Sequence, residues 1–240
     1  MSTAGAEEGD DADRPVVSDV YSRSVAGTEA LFAAYLRVQP APVVPEFRLY
    51  LAERLVPLWQ ATEALAGARQ PPPFWAFAWP GSLALARYLL DTPGLVTDKR
   101  VLDFGSGGGL AAIAAAHCGA AYVLACDVDP LAGVAQGLNA ALNGVAYESV
   151  CEDIVDLDPP HFDVVLAGDV CYERDPSTRI TDFLRRQASS GAQVLIADPG
   201  RTYAPASHLD LLATYDIPTL DDLESVSVKR TRLWRLHPTT

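Results

Sequence analysis

The sequence predicts an α/β protein with a mostly parallel sheet that ends in an antiparallel pair, and three observations lead there. From Arg100 onward, short apolar runs alternate with helical stretches, the texture of consecutive βαβ units. A glycine-rich turn follows the first of those runs and joins a strand directly to a helix. The C-terminal stretch carries two alternating segments with no long helix between them, which pairs them antiparallel.

Taken in order, residues 1–15 are acidic and small and are expected to be a disordered tail. Residues 16–95 read as a helical extension that caps the main domain, and 96–240 as that domain. Helical periodicity covers 29–38 and 56–67, whereas 45–51 fits either a strand or a helix. The triple proline Pro71-Pro72-Pro73 breaks what precedes it. The aromatic run Phe74-Trp-Ala-Phe-Ala-Trp-Pro-Gly81 comes next, then a helix over 82–91 with a broad stripe of Leu83, Leu85, Ala86, Leu89 and Leu90. In the main domain, strands are predicted at 100–104, 121–126, 146–150, 162–167 and 193–197, with helices at 108–117, 130–143 and 176–189. The late segments 212–217 and 225–236 complete seven strands.

Composition narrows the function. With 240 residues, 49% of them hydrophobic, the chain can bury one substantial core. A formal charge of -13 repels a phosphate backbone, so no nucleic-acid partner is expected. The cysteines Cys118, Cys126, Cys151 and Cys171 form no C-x-x-C pair and the four histidines show no ligand spacing; no metal is expected, and the thiols read as buried and reduced. No stretch reaches the roughly 20 apolar residues that span a bilayer. The acidic N-terminus is unlike a signal or transit peptide, so the expected setting is the cytoplasm, without a membrane, and the expected state a monomer.

The turn Asp103-Phe-Gly-Ser-Gly-Gly-Gly109 carries the first chemical signal. Its glycines let backbone approach a ligand, and the N–H groups opening the next helix attract electronegative atoms. The dinucleotide fingerprint G-x-G-x-x-G fails, because Leu110 stands where its third glycine belongs. The spacing is instead acid-x-G-x-G-x-G, with Asp103, Gly105, Gly107 and Gly109, and resembles motif I of class I methyltransferases, whose cofactor is S-adenosylmethionine. About 20 residues on, at the end of the second strand, Asp127 is placed to accept both ribose hydroxyls. Asp129 before Pro130 reads as a helix N-cap. Asp153 follows the third strand, where that family holds the adenine amino group.

In an open α/β sheet the ligand lies beyond the strand ends at the point where strand order reverses. That puts the residues leaving the fourth predicted strand, Gly168-Asp-Val-Cys-Tyr-Glu173, opposite the transferred methyl. Asp158-Pro-Pro-His161, although similar to a nucleic-acid amine methyltransferase signature, precedes that strand and belongs at the wrong end. Asp169-x-x-Tyr172 resembles the D-x-x-Y motif of seven-strand lysine methyltransferases. An aspartate attracts an ammonium and a tyrosine offers a ring face and a hydroxyl. Yet transfer needs the amine lone pair, and keeping a lysine of pKa about 10.4 neutral at pH 7 costs roughly 4.6 kcal/mol. Asp169 is accordingly expected to orient the lysine and pass its proton to water.

Further segments, Pro45-Glu-Phe-Arg-Leu49, Pro73-Phe-Trp-Ala-Phe-Ala-Trp-Pro-Gly81, Ala167-Gly-Asp-Val-Cys-Tyr172, Asp198-Pro-Gly-Arg201 and Val228-Lys-Arg-Thr231, resemble the bacterial form of the electron transfer flavoprotein β-subunit lysine methyltransferase family. The resemblance implies a Rossmann-like class I methyltransferase with seven strands, Trp79 near the cofactor, and Asp198 and Arg201 bordering the substrate cleft, with Glu173 beside them. It implies N-methylation of lysines on the β-subunit of electron transfer flavoprotein. Ser82 and Leu83 depart from the family, which carries glycine and glutamine there, and put a cofactor contact in question. Another protein lysine, such as on a ribosomal protein, or a small amine remains open as acceptor.

Overall fold

The computed structural model describes residues 27–219 and 226–238. The acidic tail at 1–15 lies outside them. A helix through 27–35, α1, leads into an antiparallel hairpin of β1 (Leu36–Ala41) and β2 (Val44–Ala52), and α2 (Leu55–Ala66) follows. The extension is therefore not wholly helical. The helix expected over 29–38 stops at residue 35, where Leu36 begins a strand whose later residues include Pro40, a poor helix former. The ambiguous 45–51 segment is strand, because alternation puts Phe47, Leu49 and Leu51 into the core.

A 3-10 turn at Phe74–Ala76 precedes α3 (Pro80–Asp91). The main domain then runs β3 (Arg100–Phe104), α4 (Leu110–His117), β4 (Tyr122–Asp127), α5 (Pro130–Leu142), β5 (Glu148–Cys151), β6 (Val164–Gly168), α6 (Arg174–Ser189), β7 (Gln193–Asp198), β8 (Leu209–Pro218) and β9 (Val228–Leu236). The seven strands from β3 onward form one sheet in the order β5-β4-β3-β6-β7-β9-β8, parallel from β5 to β7 and antiparallel at β9 and β8. Strand order reverses at β3, which pairs with β4 on one side and β6 on the other, so a crevice opens at their carboxyl ends.

Strand alternation divides the core. Val101, Val123, Ala125, Val164, Leu166 and Leu195 face α3 and α4, whereas Leu102, Phe104, Leu124, Val165 and Ala167 face α6. All but one residue of β3 is buried, as a strand covered on both faces requires. Helix α3 is buried along most of its length in the first of these clusters, so the end of the expected 16–95 cap belongs to the sheet's own packing. There Leu83 is fully buried in the core.

The hairpin reaches the domain through α5. Asn143 accepts from the Arg48 N–H at 2.9 Å and donates to the Arg48 carbonyl at 2.7 Å, replacing a neighbouring strand at that edge. Asn139 accepts from the Tyr50 N–H at 2.8 Å and donates to the Gly108 carbonyl at 2.9 Å. One helix face thus ties β2 to the glycine turn.

Candidate active site

The turn after β3 is held by its neighbours before any ligand is considered. Gly105, Gly107 and Gly109 all have positive φ, the left-handed region that glycine enters without strain. The Ser106 N–H donates to the Cys126 carbonyl at 3.0 Å. Gln136, fully buried on α5, donates to Ser106 Oγ at 2.7 Å and to the Gly107 carbonyl at 3.0 Å. Asp127, the last residue of β4, accepts from the Gly107 N–H at 2.8 Å through one oxygen and from the Asp129 N–H at 3.0 Å through the other. Asp129 caps α5 through the Leu131 N–H, as its place before Pro130 predicts.

A cavity of about 410 Å³ lies over the strand ends, within the ordinary size range of small-molecule sites. Gly105 and Gly107 form its middle, Asp127, Asp129, Glu152 and Asp153 the side toward β4 and β5, and Asp169, Tyr172 and Arg201 the side toward β6 and β7. The segment from Pro71 to Trp79 forms another wall. Trp79 Nε1 donates to the Phe74 carbonyl at 2.7 Å, and Phe74 meets both Trp79 and Tyr172 edge-on, at 5.3 and 5.5 Å between ring centres.

Asp169 has φ of 57° and is 7% exposed. One carboxylate oxygen accepts from the Gly81 N–H in a short hydrogen bond, and the other from Arg201 Nε at 3.1 Å and Nη2 at 3.0 Å. Burial pushes the Asp169 carboxyl up to about 6, opposed by the Arg201 charge and the Gly81 hydrogen bond. Approach this close depends on glycine: a Cβ on Gly81 would stand 2.5 Å from the Ala197 carbonyl oxygen, and one on Gly168 2.8 Å from the Ser82 nitrogen. The guanidinium of Arg201 also lies 5.7 Å from the centre of the Trp79 ring.

Most of the predicted site residues meet at this cavity, but four do not form its wall. Asp103 lies beneath α4, accepting from the Ala112 N–H at 2.9 Å, and burial raises its carboxyl to about 7. Odd-numbered residues of β3 face α4, which removes its side chain from the ligand side. Gly109 makes room for Tyr147, whose hydroxyl a Cβ would strike. Asp198 is 1% exposed and turned back on its own loop, accepting at 2.6 Å from the Gly200 and Arg201 N–H groups. Glu173 is exposed outside the cavity at the N-terminus of α6. Asp153 does line it, with one oxygen paired to Arg179 at 3.3 Å. Neither Ser82 nor Leu83 lines it, so their departure from the family touches no cavity contact.

Gln136, Asn139 and Asn143 were missed in the sequence. Their signal was present: three amides spaced by three and four residues on one face of an alanine-rich helix, a pattern with a partner other than water.

A sheet of this order, with a glycine turn leaving its first parallel strand and an acid leaving the next, defines a class I S-adenosylmethionine-dependent methyltransferase. Residues 84–170 match the ribosomal protein L11 methyltransferase (PrmA) family. In fold the chain resembles a T. thermophilus 16S rRNA N2 G1207 methyltransferase solved with AdoMet and guanosine, with TM-score 0.53 at 15% identity, over 85% of this chain and 51% of that one. It is 37% identical over 203 residues to the electron transfer flavoprotein beta subunit lysine methyltransferase of Xenopus laevis, covering 82% of each chain. To the human protein of that name it is 37% identical over 172 residues, 69% of this chain and 66% of the other. The chain belongs to the electron transfer flavoprotein beta subunit lysine methyltransferase family.

Proposed function

We propose that this enzyme methylates lysine side chains on the β-subunit of electron transfer flavoprotein. The observation that carries the proposal is the 37% identity, sustained over 82% of both chains, to a relative named for that activity. A net charge of -13 fits a lysine-bearing protein surface better than a nucleic acid.

The residues fit S-adenosylmethionine by their chemistry. Asp127 retains lone pairs for a ribose diol beyond the two N–H bonds it accepts. Glu152 and Asp153 bound the adenine end, and Gly105 and Gly107 leave space along the middle. When bound, the cofactor supplies an electrophilic methyl on a positively charged sulfur. Phe74, Trp79 and Tyr172 form an aromatic entrance that excludes water and aligns an aliphatic lysine stem. Tyr172, 48% exposed, sits at its outer rim. With S-adenosylmethionine bound, the acceptor end formed by Asp169, Tyr172 and Arg201 would hold a lysine ε-nitrogen with its lone pair toward that methyl, and the amine's proton would pass to water.

Incubating purified electron transfer flavoprotein with the enzyme and S-adenosylmethionine, followed by mass spectrometry, tests this. Methyl-sized increments on β-subunit lysines are expected, and an unchanged mass refutes the substrate. The match of residues 84–170 to ribosomal protein L11 methyltransferase supports a second reading, in which L11 is the acceptor. The same assay on that protein separates the two.

A further inference from the structure

We infer that Gln136, which lies behind the cavity wall, is a positioning residue for the cofactor: it grips the glycine turn on both sides of the peptide that donates to Asp127, and so fixes the Asp127 carboxylate in the orientation that receives the ribose hydroxyls. The inference rests on the reading of the cavity as an S-adenosylmethionine site.

Asp127 is aimed by two backbone N–H groups, and the two are not held equally. The Asp129 N–H belongs to the start of α5, where the Asp129 side chain caps the helix and Pro130 fixes the first backbone angle. The Gly107 N–H belongs to a turn in which Gly105, Gly107 and Gly109 all have positive φ. Glycine enters that region without strain, and for the same reason leaves it without penalty. A carboxylate serves a diol only if both its oxygens face the two hydroxyls at once, so the position of the turn bears on affinity.

Two bonds of the turn do not set that position. The Gly109 N–H to the Ser106 carbonyl, at 2.8 Å, is internal to the turn and moves with it, and the Ser106 N–H to the Cys126 carbonyl, at 3.0 Å, anchors only its entry. Asn139 holds the Gly108 carbonyl at 2.9 Å, further along the turn from Asp127. Gln136 holds the part that matters. Its amide nitrogen donates to Ser106 Oγ at 2.7 Å and to the Gly107 carbonyl at 3.0 Å, on either side of the Ser106–Gly107 peptide. Its amide oxygen accepts from Ser149 Oγ of β5 in a short hydrogen bond, so the amide cannot rotate without losing a partner. Glycine at 109 leaves room for this approach, since a Cβ there would stand 3.1 Å from Gln136 Cγ. The amide is fully buried on a helix face that otherwise carries Ala132, Ala135 and Ala140. With its partners in place such a group adds little net stability but makes its surroundings rigid.

Calorimetry with S-adenosylhomocysteine reads this without any methyl acceptor. Gln136→Met keeps the length and helix propensity of the side chain and removes the amide. Affinity should fall about tenfold. In an Asp127→Asn background, where the carboxylate to be aimed is already gone, the same change should cost less than about twofold. An unchanged affinity for Gln136→Met, or a full loss repeated in the Asp127→Asn background, would overturn the inference, because a purely structural role acts equally in both. Where Gln136→Met does not fold, Ser106→Ala removes one of the two grips by deleting a single oxygen. It should weaken binding about threefold in the wild-type background and leave it unchanged in Asp127→Asn. Equal losses in the two backgrounds would again overturn the inference. A wild-type protein that does not bind S-adenosylhomocysteine sinks the cofactor reading itself, and this inference with it.

Discussion

Replacing Gly81 with alanine tests the joint on which the acceptor end depends. Helix propensity alone favours the substitution by up to about 1 kcal/mol. Its backbone is outside the positive-φ region, so no conformational strain opposes it. Space does: the new Cβ would lie 2.5 Å from the Ala197 carbonyl oxygen, 2.6 Å from Asp169 Oδ2 and 2.7 Å from the Asp169 nitrogen. Two of those atoms are backbone at the ends of β7 and β6, which the sheet keeps from retreating. Overpacking costs about 1–3 kcal/mol, and weakening the Gly81 hydrogen bond to a buried carboxylate about 1.5–3 kcal/mol more. After the propensity gain, a net loss of roughly 1.5–6 kcal/mol remains, a fall in Tm of about 3–24 °C for a chain of this size. Gly137→Ala is the control, since it lies within α5 with nothing within 4 Å of the added carbon. It should raise stability by about 0.4–1 kcal/mol. Thermal unfolding followed by circular dichroism reads both. A Gly81→Ala protein melting at or above the wild type would refute the argument that α3 and Asp169 are in obligatory contact.

Asp127→Asn should weaken S-adenosylmethionine binding about 10- to 100-fold, the worth of hydrogen bonds to a charged acceptor; titration calorimetry showing unchanged affinity would count against the ribose assignment. Asn143→Ala leaves the Arg48 N–H and carbonyl without their partners, and should cost about 1–3 kcal/mol and speed hydrogen exchange at the Arg48 amide. Protection equal to the wild type would show that the hairpin does not need this clamp. Asp103 predicts a pH effect of definite sign. Its folded carboxyl sits at about 7 against an ordinary 3.8, so the folded state holds the proton more tightly and stability is lost as pH rises between those values. Asp103→Asn should flatten urea stability between pH 4 and pH 8, and a slope equal to the wild type would exclude Asp103 as its source.

What was legible in the sequence follows a physical boundary. Strands β3, β4, β6 and β7 are buried on both faces, so each appears as a short apolar run with turn residues at its end, and their positions were read to within a few residues. The glycine turn was legible because spacing alone separates its two ligand classes. The hairpin was not, since 45–51 carries a pattern compatible with either period until α5 supplies Asn139 and Asn143 to its edge. Nor was the direction of Asp103, because motif spacing does not say which face of a two-residue alternation meets the ligand.

Asp169 shows why naming a residue is not the same as assigning its role. Its position at the end of β6 follows from chain order and the switch point, both readable in one dimension. Its chemistry follows from Gly81, 88 residues earlier, and Arg201, 32 residues later, which arrive only through tertiary packing. A carboxylate read alone attracts an ammonium. The same carboxylate, with each oxygen already accepting a hydrogen bond and an arginine paired to it, attracts an ammonium less. Replacing Gly81 disturbs that arrangement from the helix side and replacing Arg201 disturbs it from the loop side. The two perturbations act on one clamp, so their effects on methyl transfer should not add.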